Sequence, residues 1–425
     1  MLRVILKPFQ RFLNTEASGS ILLLLATLAA LLWANSPWRA NYAHLWETPL
    51  PLNIAGLQSN LPLHFWINEG LMTLFFLLVG LEIKREFLGG ELSSPRQASL
   101  PILGALGGMV VPALIYAGFN PPGTVFAHGW AIPTVTDIAF AIGALTLLGN
   151  RVPLGLKVFL IALAIVDDIG AILIIALFYS HGLQPLWLLA AAGLLLLGFA
   201  LNRSGKHRCW PYLALGVPLW LAILQSGIHP TIAGVLLALT VPATLGANSQ
   251  PTDASTSRLE LETDSYEANL PTLQTIEHGL HPWVTYSILP LFALANAGVH
   301  LPWTSITDAL GQPLSWGILA GLFLGKPLGI TLAAWAAVRL GWASLPAQVN
   351  FRQIHAAGVL GGIGFTMSVF ITLLAFREPG QVATAKLAIL LASGLSAGVG
   401  VGLLWWALQS PASVAADTPE PLSEE

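Results

Sequence analysis

Four charged residues lie where the sequence is otherwise apolar, and they define the chemistry to look for. Asp137 falls in Trp130-Ala131-Ile132-Pro133-Thr134-Val135-Thr136-Asp137-Ile138-Ala139-Phe140. Asp167 and Asp168 are adjacent in Ala164-Ile165-Val166-Asp167-Asp168-Ile169-Gly170, within the most apolar stretch of the chain. Lys326 sits in Gly325-Lys326-Pro327-Leu328, again with apolar flanks. Each such charge costs about 2.5–3.5 kcal/mol at a membrane helix centre, whereas a Leu or Ile returns only about 0.3–0.6 kcal/mol. Charges kept at that cost bind cations, carry protons or satisfy one another. Neighbours on a helix point about 100° apart. Asp167 and Asp168 therefore do different jobs, one facing a cavity and the other pairing with a basic group. Lys326 needs an anion, a cluster of carbonyls or the loss of its proton, and Asp167 and the carbonyl ends of a broken helix are the candidate partners.

The backbone around these residues is irregular by design. Pro133 removes a donor and disturbs the carbonyl a turn earlier, and Thr134, Thr136 and Asp137 follow at once. An interrupted helix is expected there, tolerable only where it lines a cavity. A second interruption is expected in Gly358-Val359-Leu360-Gly361-Gly362-Ile363-Gly364-Phe365-Thr366-Met367-Ser368, where four glycines in seven residues weaken a helix centre.

The elements that must hold these groups follow from composition. Of 425 residues, 55% are hydrophobic and 9% charged, with a mean hydropathy of +0.72. That charge content is too small to cover a soluble globule of this size, which excludes an ordinary soluble enzyme, a nucleic-acid binder and a disordered chain. The net charge of -3 offers nothing to a polyanion, and the single Cys209 excludes an internal disulfide. Long runs of Leu, Ile, Ala and Val without strand-like alternation indicate helices. Twelve spans are expected near 17–34, 64–83, 97–117, 127–149, 154–179, 185–201, 210–226, 230–245, 284–299, 316–338, 355–375 and 384–408. Residues 1–245 thus hold eight spans and 273–408 four. Between them 246–272 is an acidic linker, and 409–425 is an acidic tail without a core to join. Residues 35–62 form a longer outer connection, with a small hairpin undecided.

Thirteen of the 18 Lys and Arg fall in segments on the same side as the N-terminus, including the basic head Arg3, Lys7 and Arg11. Only Arg39 and Arg377 fall on the other side, and Lys157, Lys326 and Lys386 lie within spans. This bias places both termini in the cytoplasm and makes the head an uncleaved first helix rather than a signal peptide. Gly394, Gly398 and Gly402, like Gly104 and Gly108, recur every four residues and read as close-packing faces. Glu277-His278-Gly279-Leu280-His281 mimics a metal site but lacks further ligands, and reads as a solvated helix end.

With these motifs in place the chain resembles the NhaA-type sodium/proton antiporters from about Asn14 to Leu408. The resemblance also rests on Phe75-Phe76-Leu77-Leu78-Val79-Gly80-Leu81-Glu82-Ile83-Lys84-Arg85-Glu86, on His281-Pro282-Trp283 and on Gly361-Gly362-Ile363-Gly364-Phe365-Thr366-Met367-Ser368. It implies an all-helical membrane fold with two inverted three-helix repeats, about 97–179 and 316–408, whose broken middle helices cross. It implies an electrogenic, pH-regulated secondary transporter, not an enzyme, that exchanges cytoplasmic Na+ or Li+ for external H+ and needs no cofactor. Asp168 would be the main Na+ ligand, with Asp167 beside it and Thr136 lining the site. Asp137 would offset helix N-termini and Lys326 the C-termini, and Asp167 would pair with Lys326 or carry a proton. Glu82, Arg85, Glu86, Glu277 and His278 would form a pH-sensing region at the cytoplasmic mouth. A bacterial inner-membrane location and a homodimer through residues 48–62 are implied as well. Glu69 stands where the family often has Asp, which keeps the acid. An intramembrane aspartyl protease would show Gly-x-Gly-Asp, which is absent here. A passive cation channel needs no Asp-Asp-Lys carrier. The choice between Na+, Li+ and K+ is left open, since cavity size decides it.

Overall fold

The computed structural model describes residues 18–54, 57–180, 182–205, 208–243, 271–300 and 303–409. The basic head, nearly all of the acidic linker and the tail beyond residue 409 lie outside the described residues. The chain folds as α1 (Ser18–Ala34), α2 (Arg39–Glu47), β1 (Pro49–Ile54), β2 (Leu57–Pro62), α3 (Leu63–Gly89) and α4 (Pro95–Phe119). A 3-10 segment (Ala127–Thr134) and α5 (Ile138–Thr146) follow, then α6 (Leu154–Phe178), α7 (Pro185–Arg203), α8 (Cys209–Ser226) and α9 (Ile232–Thr240). The second part holds α10 (272–296), α11 (Trp303–Leu310), α12 (Pro313–Arg339), α13 (Phe351–Gly361), α14 (Phe365–Ala375) and α15 (Pro379–Gln409). It is a nearly all-helical membrane protein.

Every span expected from the sequence contains a helix, but not every helix could span alone. Among the described residues eight are individually long and apolar enough to cross a bilayer, or up to ten if each bent pair counts as one span. α9 is only nine residues, about 13 Å at the usual rise, and is shorter than the 230–245 span expected. Its last carbonyls are satisfied from outside the helix. The Lys84 ammonium on α3 donates to the carbonyls of Leu239 at 2.7 Å and Val241 at 2.5 Å, as a cation at a helix C-terminus should. The outer connection contains the hairpin that the sequence left undecided, with β1 and β2 antiparallel from Pro49 opposite Pro62 to Ile54 opposite Leu57. α2 turns 114° away from α1.

α4 and α12, the first helices of the two expected repeats, pack along each other. Gly107 and Gly329 make this possible, because a Cβ on either would collide with the other's carbonyl group. The expectation for the other glycine faces divides. Gly104 and Gly108 do meet Leu163 and Ile330. Gly394, Gly398 and Gly402 face open space, and it is Gly400 that packs against Leu360. A four-residue repeat identifies a stripe but not the side of the helix that neighbours cover.

Among the described residues, wide π-turns interrupt the helices at Trp66–Leu71, Val284–Ile288 and Gly321–Gly325. Two have a proline cause. A proline ring clashes with the carbonyl four residues back, and for Pro290 and Pro327 those carbonyls, at Tyr286 and Phe323, lie inside the widened turns. The turn at Gly321–Gly325 ends directly at Lys326 and so fixes where its side chain leaves α12.

Candidate functional site

The two interrupted spans meet at their breaks. In the first, the 3-10 segment ends at Thr134, residues 135–137 are extended, and α5 begins at Ile138. In the second, α13 ends at Gly361 and α14 begins at Phe365, with a bend of 47°. The Asp137 backbone N–H donates to the Ile363 carbonyl at 2.6 Å, and the Ser368 hydroxyl donates to the Ile132 carbonyl at 2.8 Å. Two helix N-termini and two C-termini therefore converge inside the protein, each with unpaired backbone groups and a partial charge.

The buried side chains answer those charges. Asp137 caps α5 by accepting from Phe140 N–H at 3.1 Å. Its other oxygen accepts from Thr366 N–H at 2.9 Å and from the Thr366 hydroxyl, at the start of α14. One carboxylate thus serves two N-termini. The Lys326 ammonium donates to the Thr134 carbonyl at 2.6 Å, at the end of the 3-10 segment, and to Asp167 Oδ2 at 2.6 Å. Both members of this ion pair are fully buried. Of the two partners open to Lys326 in the sequence, the structure uses both at once.

Thr136 Oγ1 lies 2.6 Å from Asp167 Oδ2 and 2.8 Å from the Gly361 carbonyl. A hydroxyl has one proton, so it serves either the ionised carboxylate or the end of α13, not both. Asp167 Oδ1 and Asp168 Oδ1 are buried without a hydrogen-bond partner among the described residues. Such oxygens are costly unless something occupies them. Asp168 also feels the charges of Asp167, Glu82 and Asp137. Thr366, Ser368 and the Gly361 carbonyl were not assigned roles by sequence. The signal available was the hydroxyl pair directly after the glycine run.

The second group of candidate residues collects at the end of α3. Arg85 forms ion pairs with Glu86 at 3.0 Å and with Glu277 on α10. Glu82 lies within electrostatic reach of Glu277 and Arg85. Glu277 is buried, not solvated as its place in the sequence suggested. Burial raises its pKa, and the charges of Arg85 and His278 pull it back down. His278 is near enough to act on Glu277. No group of three or more His, Cys, Asp or Glu arranged to hold a metal occurs among the described residues.

Comparison with known proteins agrees with this architecture. The family model for Na+/H+ antiporter 1 matches residues 10–404. The chain is 48% identical over 413 residues to the Na(+)/H(+) antiporter NhaA of Rhodospirillum rubrum, covering 96% of this chain and 99% of that one. It is 48% identical to Na(+)/H(+) antiporter NhaA 1 of Klebsiella pneumoniae over 95% of this chain and 97% of the relative. In fold it resembles the sodium proton antiporter MjNhaP1 from Methanocaldococcus jannaschii, with a TM-score of 0.52 at 15% identity, over 94% of this chain and 98% of that one. A match this long and at this identity places the chain in the Na+/H+ antiporter 1 family.

Proposed function

We propose that this protein exchanges cytoplasmic Na+ or Li+ for external H+ by alternating access, as an inner-membrane antiporter with both termini in the cytoplasm. The observation that carries the reading is the pair of unpartnered buried oxygens, Asp167 Oδ1 and Asp168 Oδ1, beside the Asp167–Lys326 ion pair. Hard oxygen ligands suit an alkali cation, and a carboxylate occupied by Na+ cannot also hold a proton. That competition is the coupling. Asp168 is the principal ligand, Asp167 the second, and Thr136 lines the site. Protons enter from outside and neutralise the carboxylates. Facing inward, the site loses them to the more alkaline cytoplasm and takes up Na+. Asp137 and Lys326 hold the four helix ends at the crossing, so that the two broken spans shift without exposing bare backbone charge. If the second proton resides on Asp167, the ion pair is broken while the proton is held and re-forms when it leaves; if it resides on Lys326, the pair is lost on its release.

More protons than sodium ions move per cycle in this reading, and each net charge gains about 2.3 kcal/mol per 100 mV of membrane potential. The cluster of Glu82, Arg85, Glu86, Glu277 and His278 serves as the cytoplasmic pH sensor, and the β1–β2 hairpin pairs two copies into a homodimer. The test is Asp168→Asn in inverted vesicles. Sodium should no longer dissipate a preset pH gradient, and dissipation at the wild-type rate overturns the assignment.

A further inference from the structure

Lys386, left without a role by the transport site, lines a cavity of about 660 Å³ at the outer ends of the helices. Its walls come from α2, the start of α3, the loop before α9, the end of α10, the end of α14 and the start of α15. Its floor is Phe370, which packs on Phe76 at 5.5 Å and on Phe292 at 6.3 Å between ring centres. Phe370 is one helical turn from Thr366, which holds Asp137. A layer of phenylalanine thus separates this vestibule from the broken-helix crossing, and in the antiport reading above a cation leaving outward from the crossing passes through it.

The charges in the vestibule are unequal in depth. Glu47, His64 and Arg377 are exposed at its rim, where salt and water screen them. Deeper in, Glu69 is joined to His229 at 3.4 Å. Lys386 makes no hydrogen bond or ion pair among the described residues, yet its charge reaches His64. Its place gains nothing from the helix either, since a cation is favoured near a C-terminus and Lys386 lies toward the N-terminal end of α15.

We propose that Lys386 is a charge filter that lowers the cation concentration in the outer vestibule and so slows Na+ entry from outside, which raises the outer KM for Na+. This rests on the antiport reading above. Na+ released outward is repelled from the vestibule. In general a unit charge ~10 Å from a cation, at an effective dielectric constant between about 20 and 80, changes the local cation concentration by about two- to fifteenfold.

The experiment measures the KM for Na+ from each face in oriented proteoliposomes. Lys386→Gln should lower the outer KM by about two- to fifteenfold and leave the inner KM unchanged, and Lys386→Arg should keep the wild-type values. Equal shifts on both faces, or none, overturn the proposal. A purely structural lysine would change the amount of active protein without splitting the two constants. If Lys386→Gln does not accumulate, Lys386→Cys in a Cys209→Ser background, labelled with a cationic or a neutral methanethiosulfonate, gives the same comparison on one preparation. There the neutral adduct must show the lower outer KM, and identical constants for the two adducts refute the filter. Failure of antiport itself reads differently, because the wild-type protein would then show no Na+-dependent proton flux from either face.

Discussion

Replacing Asp137 by Asn and Asp168 by Asn should separate stability from transport, because the two carboxylates are held in opposite ways. Asp137 accepts from Phe140 N–H, Thr366 N–H and the Thr366 hydroxyl. An asparagine keeps one acceptor oxygen and turns the other into an NH2 that faces a donor. One N–H is left unsatisfied, at about 1–3 kcal/mol, and two helix N-termini lose their counter-charge, up to about 2 kcal/mol each in buried geometry. Relief from burying an ion offsets part of this, which leaves a net loss of about 2–4 kcal/mol. Asp168 has an unpartnered Oδ1 and like charges around it, so Asp168→Asn should leave the melting temperature unchanged or raise it. Thermal unfolding in detergent and Na+-driven proton flux in proteoliposomes, run on the same preparations, make the comparison. Asp137→Asn should melt several degrees lower and retain partial flux, whereas Asp168→Asn should melt no lower and show no sodium coupling. Equal melting losses in the two variants would refute the argument that Asp137 is the electrostatic keystone and Asp168 the free ligand.

Lys326→Gln leaves Asp167 as a buried charge without its partner and should cost about 3–5 kcal/mol. Adding Asp167→Asn should recover much of that in melting temperature without restoring flux, and no recovery would mean that the ion pair is not what is lost. Gly329→Ala drives a Cβ into the Gly107 carbonyl group and should cost about 1–3 kcal/mol or more, whereas Gly398→Ala, in open space, should be neutral or gain up to about 1 kcal/mol. Melting curves for the pair check both. Burial raises the Glu277 pKa against the pull of Arg85, so the folded state gives up stability as pH rises through that raised value and has it in full below the unfolded value near about 4.3. Glu277→Gln should therefore flatten the melting-temperature profile above that pH and raise its alkaline end. As a mimic of the protonated form that releases Arg85, it should also activate exchange at a higher pH, which flux measured across pH 6–9 would show.

The buried charges at the crossing were legible in sequence because insertion energetics makes them conspicuous. Asp137, Asp167, Asp168 and Lys326 interrupt apolar runs at a cost that composition alone reveals, and Pro133 and the glycines at 358–364 mark the breaks that bring them together. Which residue meets which was less legible. Lys326 pairs with both Asp167 and the Thr134 carbonyl, a choice made by the π-turn at Gly321–Gly325 and by how α12 packs on α4. Glu277 looked solvated because a charge near a helix end usually is, yet Arg85 on α3 closes over it. The glycine stripe at 394, 398 and 402 failed as a packing signal for a related reason. In lipid a small-residue face without a neighbour carries little penalty, since no hydrophobic effect drives it inward.

The same energetics argues that the crossing is built to move. A buried ion pair is weak evidence for stability, since its desolvation can exceed its attraction, and apolar packing would hold α12 to α6 as well as Lys326 and Asp167 do. What apolar packing cannot do is respond to a proton or a sodium ion. Asp167 shares its Oδ2 between Lys326 and Thr136, and Thr136 also reaches the Gly361 carbonyl. Neutralising Asp167 therefore frees one hydroxyl proton to satisfy the end of α13 and loosens one ammonium from α6. A change at a single carboxylate thus alters contacts in both broken spans. Coupling of ion binding to movement needs differential contacts of this kind in the two states, and here three side chains and one backbone carbonyl supply them.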